Sequence, residues 1–166
     1  MSRLDSFIRR LQAQRSCIDQ AAELVAPVPG VIFELGLGNG RTFDHLREQM
    51  PGREVFVFER SIAAHPDCIP DDDHLFLGDL STTLPAAAAR FAGGVALVHS
   101  DIGTGDASYN AEIASFLSRS LDPVLAPGAV IVSDQPIAIP DCPAVALPGD
   151  VSQNRYFMIR KNPVQP

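Results

Sequence analysis

The chain has 166 residues, 46% hydrophobic and 20% charged, which suits one globular domain with a core of its own. Its net charge of −7 and the absence of any lysine-rich run argue against a phosphate-tracking surface, so no nucleic acid is expected as a partner. No stretch approaches the roughly 18 apolar residues of a membrane span, and Cys17, Cys68 and Cys142 are scattered without metal or C-x-x-C spacing, as expected of a reducing cytoplasm.

Residues 2 to about 26 read as one helix, because Leu4, Phe7, Ile8, Leu11, Ile18, Ala22 and Val25 recur near the helical period. Arg3, Arg9, Arg10 and Arg15 then occupy a solvated face, and Pro27 and Pro29 stop the helix. Residues 1–29 are thus set apart as an N-terminal helix, either packing or covering a ligand site, and residues 30–166 form the main domain. The apolar run Val31, Ile32, Phe33 reads as a buried strand ending on Glu34. Gly36, Gly38 and Gly40 follow, and a helix with Phe43 and Leu46 on one face begins at once. Strand, glycine turn, helix is a layout in which backbone N–H groups approach a nucleotide-like ligand.

Pro51 and Gly52 turn into a second strand, Glu54 to Phe58, ending on Glu59 and Arg60. An acid there can accept hydrogen bonds from both ribose hydroxyls of an adenosyl group, in nicotinamide enzymes as in others. The acidic run Asp71 to Asp73 reads as a turn before the third strand, His74 to Leu77, which ends Gly78-Asp79-Leu80. Asp79 or Ser81 is placed to cap the alanine-rich helix through Ala86 to Arg90. A fourth strand, Val95 to Val98, ends His99-Ser100-Asp101, and a loop carrying Thr104 and Asp106 leads into a helix from Ala107 to Leu121. Pro127-Gly128 precedes the fifth strand, Ala129 to Val132, ending Ser133-Asp134-Gln135. Ala144 to Leu147 and Arg155 to Arg160 read as two antiparallel neighbours that complete seven strands. Ligands of open parallel sheets bind beyond the carboxyl ends of the strands, the edge that gathers Glu34, Asp101 and Asp134 beside the glycine loop.

The glycines do not follow the dinucleotide fingerprint, since Arg41 stands where its third glycine belongs. Instead E-x-G-x-G-x-G from Glu34, G-D at Gly78-Asp79 and L-x-P-G-A-V-I-V-S-D from Leu125 resemble class I S-adenosylmethionine-dependent methyltransferases, in particular small single-domain bacterial members. The resemblance covers roughly residues 31–160. It implies an α/β fold, Rossmann-like, with a mostly parallel seven-stranded sheet, helices on both faces and a C-terminal antiparallel hairpin. Pro136 to Pro143 departs from the pattern, being too short and proline-rich for the helix usual there.

The cofactor implied is S-adenosyl-L-methionine, bound by Glu34, Gly36, Leu37, Gly38, Gly40 and Thr42 of the first motif. Glu59 and Arg60 follow on the second strand, Gly78, Asp79 and Leu80 on the third, and Ser100 and Asp101 on the fourth. Asp79 is the acid the pattern places on the adenine amino group. The reaction implied is methyl transfer to an oxygen or nitrogen nucleophile of a small molecule, with Asp101, Thr104 and Tyr109 as catalytic residues. Asp101 and Asp134-Gln135 also resemble the magnesium site of catechol-type O-methyltransferases. Gln135 replaces an asparagine and Thr104 an expected lysine, so no metal is assigned. A non-catalytic adenosylmethionine-binding module would share every binding motif. A nicotinamide oxidoreductase would need glycine at Arg41. The apolar stripe of the N-terminal helix suggests a homodimer.

Overall fold

The computed structural model describes residues 2–163. Helix α1 (Arg3–Val25) comes first, and Ser2 and Asp5 cap it reciprocally, side chain to backbone. The elements β1 (Val31–Leu35), α2 (Arg41–Gln49), β2 (Val55–Glu59), β3 (Leu75–Leu77) and α3 (Leu80–Ala88) follow. The chain continues through β4 (Val95–Ser100), α4 (Ala107–Ser120), β5 (Leu125–Ser133) and β6 (Phe157–Arg160). The strands form one sheet in the order β3-β2-β1-β4-β5-β6, with β6 antiparallel to β5 and the remaining neighbours parallel.

β4 is buried along its whole length and β1 at all but its first residue, as expected of central strands covered on both faces. α1 packs on α2 and runs over β4 and β5, while α3 packs on α4. Right-handed crossovers put these pairs on opposite faces. Between the sheet and α3 lies an aromatic cluster in which Phe58 stacks on Phe76 at 4.7 Å and Phe33 meets Phe91 edge-on at 5.1 Å.

Two expectations are corrected. The sheet has six strands rather than seven, because only Ala144 of the Ala144 to Leu147 stretch bridges, to Ile159. Pro143 and Pro148 bound this stretch without an N–H of their own, and the Ala146 carbonyl is taken by Gln20 of α1, so pairing with β6 is confined to Val145 N–H on the Met158 carbonyl and Arg160 N–H on that of Pro143. Likewise Pro127-Gly128 does not precede β5 but interrupts its pairing with β4, where the register shifts between Val95 and Leu97.

Helix α1 ends without a glycine, at Ala26 in right-handed helical conformation. Its open carbonyls are met from the sheet. Arg53 donates to Val25 at 2.6 Å and to Gly30 at 3.0 Å, and Arg160 donates to Leu24 at 3.2 Å. These bonds fix α1 against the end of β1. Arg53→Met is expected to lower unfolding free energy by about 1.5–3 kcal/mol, the range for hydrogen bonds to a charged group, in urea titrations.

Candidate active site

The chain leaves β1 toward β2 and later returns to β4 on the opposite side, so the strand order reverses at β1. A crevice opens beyond the strand ends at such a point. Here it is a cavity of about 680 Å³, floored by the glycine loop and the β4 end and walled by α1 and α4.

The glycine loop is held by two carboxylates. Glu59, at the end of β2, accepts Leu37 N–H at 2.7 Å and Gly38 N–H at 3.2 Å on one oxygen. Its other oxygen accepts Arg60 N–H at 2.7 Å and Ser61 N–H at 3.0 Å. Burial alone would raise the Glu59 pKa, but these four donors outweigh it and hold the acid below its ordinary value. Glu59 lines the cavity together with Gly36, Leu37 and Gly38. Gly38 has φ +52°, and a Cβ there would meet no protein atom within 4 Å. Gly36 has φ +87°, and its Cβ would collide with Ile102 from the loop after β4. One glycine leaves bare backbone open to a ligand; the other lets two loops close on each other.

Glu34 is the second carboxylate, and it is wholly buried. It accepts the Thr42 hydroxyl and the Nδ1–H of His99, the latter at 2.7 Å. Burial disfavours charge on His99, yet the attraction and hydrogen bond of Glu34 outweigh this, with Asp101 and Asp134 adding to them, and the imidazole pKa is raised.

Asp101 leaves the end of β4 and is grasped by the N-terminal helix. One of its oxygens accepts Arg10 at 2.5 Å and Gln14 at 2.8 Å. Asp134 accepts the backbone N–H of Gly103 at 2.9 Å. Burial, then the nearby Asp101 charge, pushes the Asp134 carboxyl above the ordinary range. Burial and the same two acids also raise the phenol of Tyr156, which lies parallel to the His99 ring at 6.5 Å. Asp79 caps α3 through Ser81 N–H at 2.9 Å, and the Ser81 hydroxyl bond is the chief reason its pKa is low. Thr104 accepts Asp106 N–H at 3.1 Å, and Asp106 caps α4 at Ser108 and Tyr109.

The sequence-derived set therefore divides. The cavity gathers Thr42, Arg60 and the Gly78-Asp79-Leu80 turn with the glycine loop, and Asp101, Thr104 and Tyr109 opposite. Glu34, Gly40 and Ser100 do not line it. Glu34 and Ser100 are enclosed within strands, and Gly40 caps α2 in left-handed conformation, pressed on Cys68. The sequence left α1 open between packing and covering a ligand site, and the structure sets Phe7, Arg10, Leu11 and Gln14 in the cavity wall; the share of α4, Ile113 and Phe116, was missed. The spacing of Phe7, Leu11 and Gln14 along one helical stripe was the available signal, and it read equally well as packing. Among the described residues no group of three or more His, Cys, Asp or Glu side chains is arranged to hold a metal.

A raised His99 pKa makes a signed prediction. Its contribution to stability is fully present below its ordinary value of 6.5, declines as pH rises above that, and is gone once pH passes the folded value. Urea titrations of wild type and His99→Asn across pH 6 to 10 should show the gap between them narrowing with rising pH.

A family model described as S-adenosyl-L-methionine methyltransferase matches residues 1–161. The chain is similar to the solved S-adenosyl-L-methionine methyl transferase from Silicibacter pomeroyi DSS-3, with 41% identity over 98% of this chain and 99% of that one and a TM-score of 0.92. The fold is shared with Podospora anserina methyltransferase PaMTH1, solved with SAH, at 17% identity, 98% and 80% coverage and a TM-score of 0.59. It is shared as well with human methyltransferase-like protein 13 in complex with SAH, at 13% identity, 96% and 81% coverage and a TM-score of 0.54. No curated protein matches. With its glycine loop, strand-end acids and sheet order, the chain belongs to the S-adenosyl-L-methionine methyltransferase family.

Proposed function

We propose that this methyltransferase acts on an oxygen or nitrogen nucleophile of a small molecule bound over Asp101. The observation that carries this reading is that the glycine loop and Asp101 face one cavity, with α1 as a wall that holds Asp101 through Arg10. S-adenosyl-L-methionine supplies an electrophilic methyl group on a sulfonium. Gly38 leaves room for it against bare backbone, Glu59 borders the ribose and shapes the loop beneath it through its four backbone bonds, Asp79 receives the adenine amino group, and Arg60 and Leu80 border the adenosyl end. Asp101, fixed by Arg10 and Gln14, orients the O–H or N–H of the acceptor. It takes that proton as the new bond to carbon forms and the carbon–sulfur electron pair leaves on sulfur. Thr104 and Tyr109 shape the rim beside it.

A net charge of −7 argues for a small acceptor rather than nucleic acid, and three unpaired cysteines suit the cytoplasm. Leu4 and Ile8, 65% and 44% exposed one helical turn apart, support a homodimer formed through α1. Light scattering at 17.8 kDa across micromolar to millimolar concentrations would exclude it.

Two measurements test the site. Gly38→Asn is expected to fold, since asparagine tolerates the left-handed φ of +52° and the space beside it is open, and to lose S-adenosylhomocysteine binding in calorimetry because the side chain enters the cradle. Full affinity in the folded variant would move the cofactor elsewhere. In a screen of acceptors with labelled cofactor, Asp101→Asn should cut turnover by about 10²–10⁴ while cofactor affinity stays within a few fold. An unchanged rate would remove Asp101 from the chemistry.

A further inference from the structure

Beyond the glycine loop, most of the apolar lining of the cavity comes from two helices on opposite faces of the sheet that both reach past the strand ends. α1 contributes Phe7 and Leu11, and α4 contributes Tyr109, Ile113 and Phe116. Asp101 stands at the floor between them, its side chain 13% exposed and anchored from α1 by Arg10. Phe7 and Tyr109 are 46% and 40% exposed, although both border a concave site in which their rings could be covered. The polar side chains of the cavity gather mainly about the glycine loop and the strand ends, while these large aromatic side chains border the remainder, as in many small-molecule sites, and 680 Å³ for cofactor and acceptor together falls within the range such sites span, about 300–1,000 Å³.

The charges at the mouth do not select an ion. Arg41, whose guanidinium lies 6.0 Å from the Phe7 ring centre, and Glu112 on α4 are of opposite sign and both border the cavity. Asp101 already has a cation in Arg10. What the walls offer in common is aromatic and aliphatic surface, and rings on both helices favour a flat partner through offset or edge-on contact.

We infer that the acceptor is an uncharged ring compound carrying an O–H or N–H, a phenol or arylamine in chemical class. Its ring lies between Phe7 of α1 and Tyr109 and Phe116 of α4, and its polar hydrogen points to Asp101. This rests on the functional reading above and adds the acceptor's chemistry to it. The N-terminal helix is then part of the acceptor site, because removing it would strip one wall and both anchors of Asp101.

The test uses the full chain saturated with S-adenosylhomocysteine and titrated in a calorimeter with phenol, aniline, glycerol and ethanolamine. Phenol and aniline are expected to bind saturably, and glycerol and ethanolamine at least tenfold more weakly. In Phe7→Ser combined with Tyr109→Ser, both changes at exposed positions, phenol affinity should fall by at least tenfold while S-adenosylhomocysteine still binds. Glycerol or ethanolamine binding as tightly as phenol, or phenol affinity that survives the double substitution, overturns this inference alone. Failure of S-adenosylhomocysteine to bind the wild-type chain overturns the functional reading and this inference with it.

Discussion

The site depends on a carboxylate that never reaches it. Glu34 sits inside the central strand β1, fully buried, and a buried charge is tolerated only when paired and hydrogen-bonded. The Thr42 hydroxyl and the His99 ring N–H meet that demand, one from α2 and the other from β4. The three residues fix the exit of β1, the start of α2 and the end of β4 relative to one another. The glycine loop spans the first two of these, and Asp101 follows two residues after His99. Removing one partner of such a buried pair costs about 3–5 kcal/mol, so the arrangement is held firmly wherever it forms.

Around this joint the chain concentrates polar atoms that the rest of its core excludes. His99 Nε2, Ser100 Oγ, one oxygen each of Asp101 and Asp134, and the Tyr156 hydroxyl are buried without a protein partner, all at or near the carboxyl ends of β4 and β5. Buried polar groups are otherwise satisfied almost throughout folded proteins, and exceptions cluster where there is function. Burial raises both Asp134 and Tyr156, and in so low a dielectric the neighbouring acids add to that and to the raised His99 value.

Much of this was legible in the sequence. The parallel strands, the glycine turn and the acids at the strand ends followed from local pattern, because a fully buried strand must be apolar and a loop against a ligand must have glycine. Two things were not. The sequence put Glu34 among the cofactor residues, and the structure buries it in β1 outside the cavity lining; an acid two residues before a glycine motif looks the same whether it faces the cavity or the core. Only the tertiary neighbours Thr42 and His99, 8 and 65 residues away, distinguish the cases. The sequence could not choose between packing and covering for α1, and it put Arg10 on a solvated face, for a similar reason. Ala13, Cys17, Ile18, Ala21 and Val25 bury its second half against the sheet, whereas Phe7, Arg10, Leu11 and Gln14 of the same stripe hang over the cavity. Hydrophobic periodicity reports a face but not what lies beneath it. The lost seventh strand is the reverse case: β-forming residues were present, but prolines at both ends and the bond from Gln20 to the Ala146 carbonyl cut their pairing short.

The central claim is that Glu34 organises the cofactor site through the loop and without contact. The most direct measurement is the affinity of Glu34→Gln for S-adenosylhomocysteine, compared with amide hydrogen exchange across residues 36–42 in the same folded sample. The account predicts weaker binding together with faster exchange of the loop amides, both following from a loosened Thr42–His99 joint. Weaker binding with loop exchange unchanged would show that Glu34 meets the ligand itself and would contradict it.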